Sequence, residues 1–197
     1  MKVRAGEWAI LAFTLAYAAG FGLWFLSIGN YEFIWYLLTM AALVTLVGLT
    51  LRRAAFPPTL LWGLSLWGLA HMAGGGVAVG DGVLYNAVLL PLGGTGEMTM
   101  LKYDQAVHAC GFGITAWLLW HLMRHNHPGT RGGWTLPVYS ALGAMGLGAM
   151  NEMIEFVAVL GIADTNDGGY YNTALDLVFN ALGAIIAASV LAWRDRP

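Results

Sequence analysis

Acidic residues and histidines recur at helical spacing inside stretches of this sequence that are otherwise apolar. Asp104 precedes His108 by four residues, and Glu152 precedes Glu155 by three. Side chains three or four residues apart share one face of a helix, so each pair would present its polar groups together. A charged residue within a membrane span costs roughly 2.5–3.5 kcal/mol on insertion scales, and it usually faces the bundle interior and marks function. Both pairs are therefore candidates for a functional site.

Further polar residues follow the same pattern. Asp176 and Asn180 are four residues apart near the start of the last apolar stretch, and Asn172 lies four residues before Asp176. His71 lies towards the end of the third stretch, just before a run of glycines. We expect His71 to supply a ligand, and the amides of Asn172 and Asn180 to orient a ligand or contact a substrate.

The carboxylates of these stretches lack basic partners, because no Lys or Arg lies within them. Lys102 and two neutral histidines cannot neutralise four anions, and crowded carboxylates cannot all stay ionised in a low dielectric. Either protons or a bound cation must balance the charge. Mixed carboxylate and imidazole ligands suit zinc, manganese or iron. A metal-bound water beside a spare carboxylate is the usual arrangement for metal-assisted hydrolysis.

Several of these residues also have an ordinary structural explanation. Asp104 and Asp176 lie near predicted helix starts, where an acid is favoured as a cap or by the helix dipole. His71 fits a packed, hydrogen-bonded histidine. For Glu152 and Glu155, no cap or basic partner accounts for both.

The composition places this site in a membrane protein. Of the 197 residues 58% are hydrophobic and only 10% charged, whereas about a quarter of an ordinary soluble domain is charged. The mean hydropathy is +0.65. The net charge of −2 does not favour nucleic-acid binding. Cys110 is the single cysteine, which excludes an internal disulfide, and we expect it to be a small buried packing residue. Signatures of haem, flavin and retinal binding are absent.

Six stretches are long and apolar enough to span a membrane as helices, and they form one all-α, polytopic domain over residues 1–197. The first apolar run continues through Phe25, longer than a signal core, so we expect an uncleaved first span. Glycines in the spans are expected to permit close helix contact. The predicted spans are residues 7–28, 31–51, 59–80, 103–123, 134–160 and 173–193, and the glycines are Gly74, Gly75, Gly76, Gly143, Gly146, Gly148 and Gly183.

Basic residues set the orientation of these spans. With both termini in the cytoplasm, eight of the nine Lys and Arg residues lie inside and only Lys102 outside. The inner set is Lys2, Arg4, Arg52, Arg53, Arg124, Arg131, Arg194 and Arg196. The expected location is the inner, or plasma, membrane, and the apolar loop of residues 81–102 is external.

This topology brings the polar residues to one depth. At 1.5 Å per helical residue, all of them fall in the outer half of the bilayer, within roughly 15 Å of its surface. They come from four different spans. The set is His71, Asp104, His108, Glu152, Glu155, Asp176 and Asn180.

Four short motifs in these spans resemble the YjdF-type family of bacterial inner-membrane proteins, small polytopic proteins without an assigned activity. The motifs are AHMAGG at 70–75, YDQAVHACGFG at 103–113, NEMIEF at 151–156 and GGYYNTALDLVFNALGA at 168–184. The match covers the third to sixth spans, and the first two match only in hydropathy. The resemblance implies that the polar residues above occupy the family's motif positions.

The order of these motifs is also similar, more loosely, to VanZ-like proteins, which are linked to glycopeptide resistance. Two residues depart from that pattern: Glu155 stands where Gln is more usual, and Gln105 stands where an Arg often lies beside the Asp-His motif. Both changes leave the site more anionic, which weakens any transfer of VanZ function.

The leading hypothesis is a metal-dependent intramembrane hydrolase that acts on a lipid or cell-envelope substrate. A small proton- or ion-coupled transporter and a non-enzymatic membrane subunit or assembly factor are the alternatives, and membrane lipids, a second copy or a membrane complex are the expected partners. The assigned roles are catalysis for Glu152 and Asp104, metal binding for His108, Glu155, Asp176 and His71, and support for Asn180 and Asn172.

Overall fold

The computed structural model describes residues 4–29, 32–91, 100–130, 133–161 and 169–195. Two compact units divide the chain, Met1–Asn86 and Ala87–Pro197. Each unit contains three long helices, which confirms the predicted all-α class. Whether the two units act as one domain stays a prediction.

The first unit consists of helices α1 (Ala5–Ile28), α2 (Glu32–Ala54) and α3 (Pro58–Gly76), followed by a small hairpin of β1 (Ala78–Val79) and β2 (Gly82–Val83) and a 3-10 turn at Leu84–Asn86. Gly29 ends α1 with a φ of 69°, a left-handed conformation that glycine adopts without steric cost. Pro58 opens α3, where its missing N–H has no helical partner to lose.

Polar contacts show the relative directions of these helices. Thr14 Oγ1 lies 2.6 Å from Ser65 Oγ, and Trp24 Nε1 donates to the Gly76 carbonyl at 3.0 Å. Going along α1 from Thr14 to Trp24, the contacting residue on α3 moves forward from Ser65 to Gly76. These two helices are therefore parallel. Arg52, near the end of α2, pairs with Glu7 at the start of α1 at 2.8 Å, so α2 is antiparallel to α1.

The second unit begins with an antiparallel ribbon of β3 (Val88–Pro91) and β4 (Met100–Lys102), which has an irregular register between Val88 and Leu90. Helix α4 (Tyr103–Asn126) follows directly, then a 3-10 turn at Pro128–Thr130 and helices α5 (Thr135–Gly161) and α6 (Gly169–Arg194). The extended ribbon was not predicted from the sequence.

Helices α4 and α6 are parallel neighbours. Asn172 near the start of α6 contacts Asp104 near the start of α4. At their other ends Arg124 pairs with Asp195 at 2.6 Å. Helix α5 runs the opposite way, since Ser140 contacts Met123 while Glu152, a dozen residues later, contacts His108.

Small residues bring these three helices close together. Gly183 of α6 lies against the backbone carbonyl of Ala109 on α4, and a Cβ at this glycine would overlap that oxygen. Ala116, Ala144 and Ala184, one from each helix, are fully buried together. Close backbone approach at small residues is the usual packing of membrane helices, and it fixes which side chains of α4 and α6 meet.

The observed helices differ from the predicted spans mainly at two ends. Helix α3 stops at Gly76, four residues early, because the chain turns into the β1–β2 hairpin, and α6 starts at Gly169, four residues early. Cys110 lies on an exposed side of α4, so the prediction that it is buried was wrong; the α4 face that packs on its neighbours carries Ala109 and Gly113 instead.

Within the described ranges, four helices are long and apolar enough to cross a membrane: Ala5–Ile28, Leu37–Ala54, Tyr103–Asn126 and Gly169–Arg194. Helix α3 is the shortest of the six, with 19 residues, and α5 carries Asn151, Glu152 and Glu155; neither is among these four. That all six helices span the membrane, with both termini inside, stays a prediction.

Candidate functional site

Three predicted site residues come together in the second unit. Asp104 and His108 lie one turn apart at the start of α4, and Asp176 faces them from α6. One ligand atom from each side chain lies within 4.8 Å of the other two. His108 and Asp176 are buried, whereas the Asp104 side chain keeps 13% of its surface exposed. The group is therefore enclosed, with Asp104 as its most accessible member.

Hydrogen bonds orient the imidazole of His108. Its Nδ1 lies 3.0 Å from Asn180 Oδ1 and 3.5 Å from Glu152 Oε1. The Asn180 amide nitrogen donates to the same Glu152 oxygen at 3.5 Å, so the amide oxygen faces the histidine. Two acceptors at Nδ1 require that this nitrogen carries the proton. In neutral His108 the lone pair is then on Nε2.

The Nε2 atom of His108 points towards Asp104, with Asp104 Oδ1 at 3.5 Å. A lone pair facing a carboxylate oxygen is unfavourable unless a proton or a cation lies between them. A proton on the imidazole or on the carboxyl group can fill this position, and so can a cation bound by both atoms. The geometry therefore agrees with the expectation from the sequence that protons or a bound cation balance these carboxylates.

Asn172 links the two aspartates. Its Nδ2 donates to Asp176 Oδ2 at 2.6 Å and to Asp104 Oδ2 at 3.2 Å. The shared donor holds the two carboxylates side by side. Among the residues that the structure describes, neither Asp104 nor Asp176 forms an ion pair with Lys or Arg. Asn172 thus aligns two carboxylates, and its predicted role in support of a metal or substrate site stays a prediction.

Gln105 belongs to this cluster, although sequence reasoning did not assign it there. It is fully buried, its Nε2 lies 3.5 Å from Asp176 Oδ1, and its Oε1 accepts from the Lys102 backbone N–H at 2.8 Å. The available signal was a polar residue directly after Asp104 in an apolar helix. Spacing alone placed it off the Asp104 and His108 face.

The two glutamates of α5 have different surroundings. Glu152 is buried and contacts His108 and Asn180 as described above. Glu155 is partly exposed and accepts a hydrogen bond from Asn151 Nδ2 at 2.7 Å. The predicted roles of Glu152 in catalysis and of Glu155 in metal binding stay predictions.

His71 lies in the first unit. Its Nδ1 is 2.7 Å from the Tyr85 hydroxyl, and the same hydroxyl donates to the His71 carbonyl at 2.8 Å. Gly74 leaves room for the Tyr85 ring, which a Cβ at that position would overlap. These contacts fit the packed, hydrogen-bonded alternative, and the role of His71 as a metal ligand stays a prediction.

Long apolar helices around a buried polar cluster define a helical membrane protein. Residues 9–196 match the model of the family described as "Predicted membrane protein (DUF2238)", and the chain belongs to this family. This is the family of YjdF, so that resemblance is confirmed, and it extends over the first two helices as well. The VanZ-like resemblance stays a prediction. No curated protein and no solved structure matches the chain.

Proposed function

We propose that this protein is a multi-pass inner-membrane protein that binds a divalent cation through Asp104, His108 and Asp176. We further propose that it uses the cation to act on a lipid or cell-envelope substrate. The observation that carries the proposal is the approach of three ligand atoms to within 4.8 Å of one another in an enclosed site. Within the described ranges its aspartates form no ion pair with Lys or Arg.

The spacing of these atoms fits a single ion. Bonds of about 2.0–2.2 Å from tetrahedral zinc to nitrogen and oxygen place two ligands of one ion roughly 3.3–3.6 Å apart. Asp104 Oδ1 and His108 Nε2 are already 3.5 Å apart, and a small rotation of a carboxylate closes the remaining gap. Carboxylate and imidazole donors suit zinc, manganese or iron.

The hydrogen bonds behind His108 also support a metal site. A ligating histidine almost always donates its other N–H to a carboxylate, carbonyl or water, which fixes the tautomer. Here Asn180 Oδ1 and Glu152 Oε1 accept at Nδ1, which leaves Nε2 for the ion. Of the two residues predicted to be catalytic, Asp104 is the more exposed and is the better placed to meet a substrate.

We place the site in the outer half of the membrane. With both termini cytoplasmic and six spans, α4 and α6 begin outside and α5 ends there. Asn180 lies 11 residues after Gly169, or about 16 Å along α6, and the other members lie closer to the outer end. The substrate would then come from the outer leaflet or the envelope beyond it.

In the transporter alternative, protons rather than a metal ion balance the charges of the same carboxylates. It needs a polar path through the inner half of the unit, where the described core is formed by Ala116, Ala144 and Ala184. The buried Thr115 hydroxyl donates to the Gly111 carbonyl of its own helix, and the buried Ser140 hydroxyl contacts the Met123 sulfur. These contacts favour the cation-binding hypothesis.

The first test is elemental analysis by ICP-MS of detergent-purified protein after loading with zinc, manganese or iron and dialysis against a weak chelator. We expect about one ion per chain in the wild type and loss of it in Asp176→Asn, which keeps the side-chain shape. Asp195→Asn is the matched control, because Asp195 pairs with Arg124 at the other end of α6 and should retain the ion.

A wild type without metal, or full occupancy in Asp176→Asn, would contradict the proposal. The first result would favour protons as the balancing charge, and pH-dependent transport would be tested next. A Glu152→Gln, Glu155→Gln double variant in the same series asks whether α5 contributes ligands. If the cluster only joins the helices, these variants should lower the folding yield, with no separate loss of metal from the protein that does fold.

A further inference from the structure

We propose that the β3–β4 ribbon, residues 88–91 and 100–102, is embedded in the boundary between lipid headgroups and acyl chains beside the start of α4. Its partner is the bilayer itself. This proposal does not depend on the cation site, because it follows from the exposure and attachment of the ribbon.

The ribbon presents apolar side chains that the protein does not cover. Val88, Leu89 and Leu90 are consecutive and expose 46%, 47% and 56% of their surface. Exposed apolar surface of this kind is transferred favourably from water to an apolar phase. An isolated two-stranded ribbon is at best marginally stable in water, so contact with an apolar phase would stabilise this one.

The ribbon is attached to a helix that is apolar enough to cross the membrane. Strand β4 ends at Lys102, and α4 begins at the next residue. The Tyr103 backbone N–H donates to the Ala87 carbonyl at 2.8 Å, which joins the start of the helix to the residue before β3. The lipid contact of α4 therefore continues directly into the ribbon.

Two features limit the depth of the ribbon. The outer edges of two strands carry backbone N–H and C=O groups that need water or headgroup partners, so the hydrocarbon core is excluded. Lys102 and Tyr103 stand at the junction, and both residue types prefer the membrane interface, where the apolar stem is buried and the polar end is hydrated. The boundary region satisfies both conditions.

This placement bears on the polar cluster. Asp104 is two residues beyond the end of β4 and is the most accessible of the three clustered residues. A ribbon at headgroup level puts this carboxylate within reach of lipid headgroups rather than bulk water. The surface beside the site is then a lipid surface.

Site-directed spin labelling tests this directly, because Cys110 is the single cysteine and Cys110→Ala gives a cysteine-free background. Labels at Leu90→Cys and His127→Cys are compared in phosphatidylcholine and phosphatidylglycerol nanodiscs by power saturation with oxygen and with NiEDDA. His127, exposed after the end of α4, is the aqueous reference, and labelled Cys110 on the wild-type chain is the reference on an exposed side of α4.

We expect the ratio of oxygen to NiEDDA collisions at residue 90 to be several-fold higher than at 127 and lower than at 110. A ratio at 90 equal to that at 127 would show a ribbon in water and overturn the proposal. Protection of residue 90 from both reagents would show a protein contact and would also overturn it. As a control, the labelled proteins should have the same thermal unfolding midpoint as the unlabelled protein, which shows that they are folded.

Discussion

The Asn180 amide joins side chains from three helices. It lies on α6, accepts from His108 on α4 and donates to Glu152 on α5. Gly148 provides the space for it, since a Cβ at that glycine would lie 2.9 Å from the Asn180 amide nitrogen. The amide thus selects which nitrogen of His108 carries the proton, and we assign it a positioning role.

Replacing Asn180 with leucine should weaken metal binding. The leucine has a similar volume but cannot accept from Nδ1, so only the more distant Glu152 oxygen remains to favour one tautomer of His108. Loss of such a partner typically costs 10–100-fold in metal affinity, and we expect a change of that size in a competition titration with a zinc chelator.

Asn126→Leu is the control for this substitution, because the Asn126 amide donates to the Leu122 carbonyl at the far end of α4, away from the cluster. Circular dichroism should show the same helix content in both variants. Wild-type affinity in a folded Asn180→Leu protein would disprove the positioning role.

At the scale of elements, the contact between α4 and α6 determines the geometry of the site. The contact is closest where Gly183 meets the Ala109 carbonyl, and Gly113 lies beside the Gly183 carbonyl. Towards the N-terminal ends of both helices from this point, Asp104, Gln105 and His108 contact side chains of α6. Any separation of the two helices would increase the distances between ligand atoms.

Gly183→Ala should destabilise the second unit. The added methyl group overlaps backbone rather than a flexible side chain, so the helices must move apart, and overpacking of this kind costs roughly 1–3 kcal/mol. We expect a lower midpoint of thermal unfolding in detergent, followed by intrinsic fluorescence, together with weaker metal binding.

Gly146→Ala on α5 is the matched control, since a Cβ at that position has no atom within 4 Å. Alanine is favoured over glycine in a helix by roughly 0.5–1 kcal/mol, so the midpoint should stay the same or rise. Equal unfolding midpoints of the two variants would show that α4 and α6 leave room for a methyl group at residue 183.

At the scale of the whole molecule, the distribution of charge predicts the orientation of the chain. Basic residues occur at the end of α2, at the end of α4 and at the end of α6, all on the proposed cytoplasmic side. The helices within each unit alternate in direction, as expected for consecutive spans joined by short loops. Both units would then cross the membrane three times.

Reporter fusions test this topology. Alkaline phosphatase inserted after Asp81 should be active, and phosphatase inserted after His127 should be inactive. Of these two loops, the proposed topology places the one after α3 outside and the one after α4 in the cytoplasm. Green fluorescent protein at the C-terminus should be fluorescent. An active phosphatase at 127 would contradict the proposed orientation, whereas activity at neither position would contradict the number of spans.

The sequence by itself determined the class of the protein and the position of its helices. Hydrophobic runs, glycines and prolines act locally along the chain, so α1, α2, α4 and α5 were predicted to within about three residues at each end. Carboxylates and histidines in such runs are costly, which is why Asp104, His108 and Asp176 could be recognised as site candidates before any contact was known.

Only the tertiary structure decided which of these atoms meet. The rotation and register of α4 against α6 depend on the approach of Gly183 to Ala109, a packing detail that periodicity does not contain. That register brings in Gln105, orients Asn172 between two aspartates and aims Nε2 of His108 at Asp104. It also leaves Cys110 exposed, because burial depends on where the neighbouring helices lie and not on the hydrophobicity of the surrounding sequence.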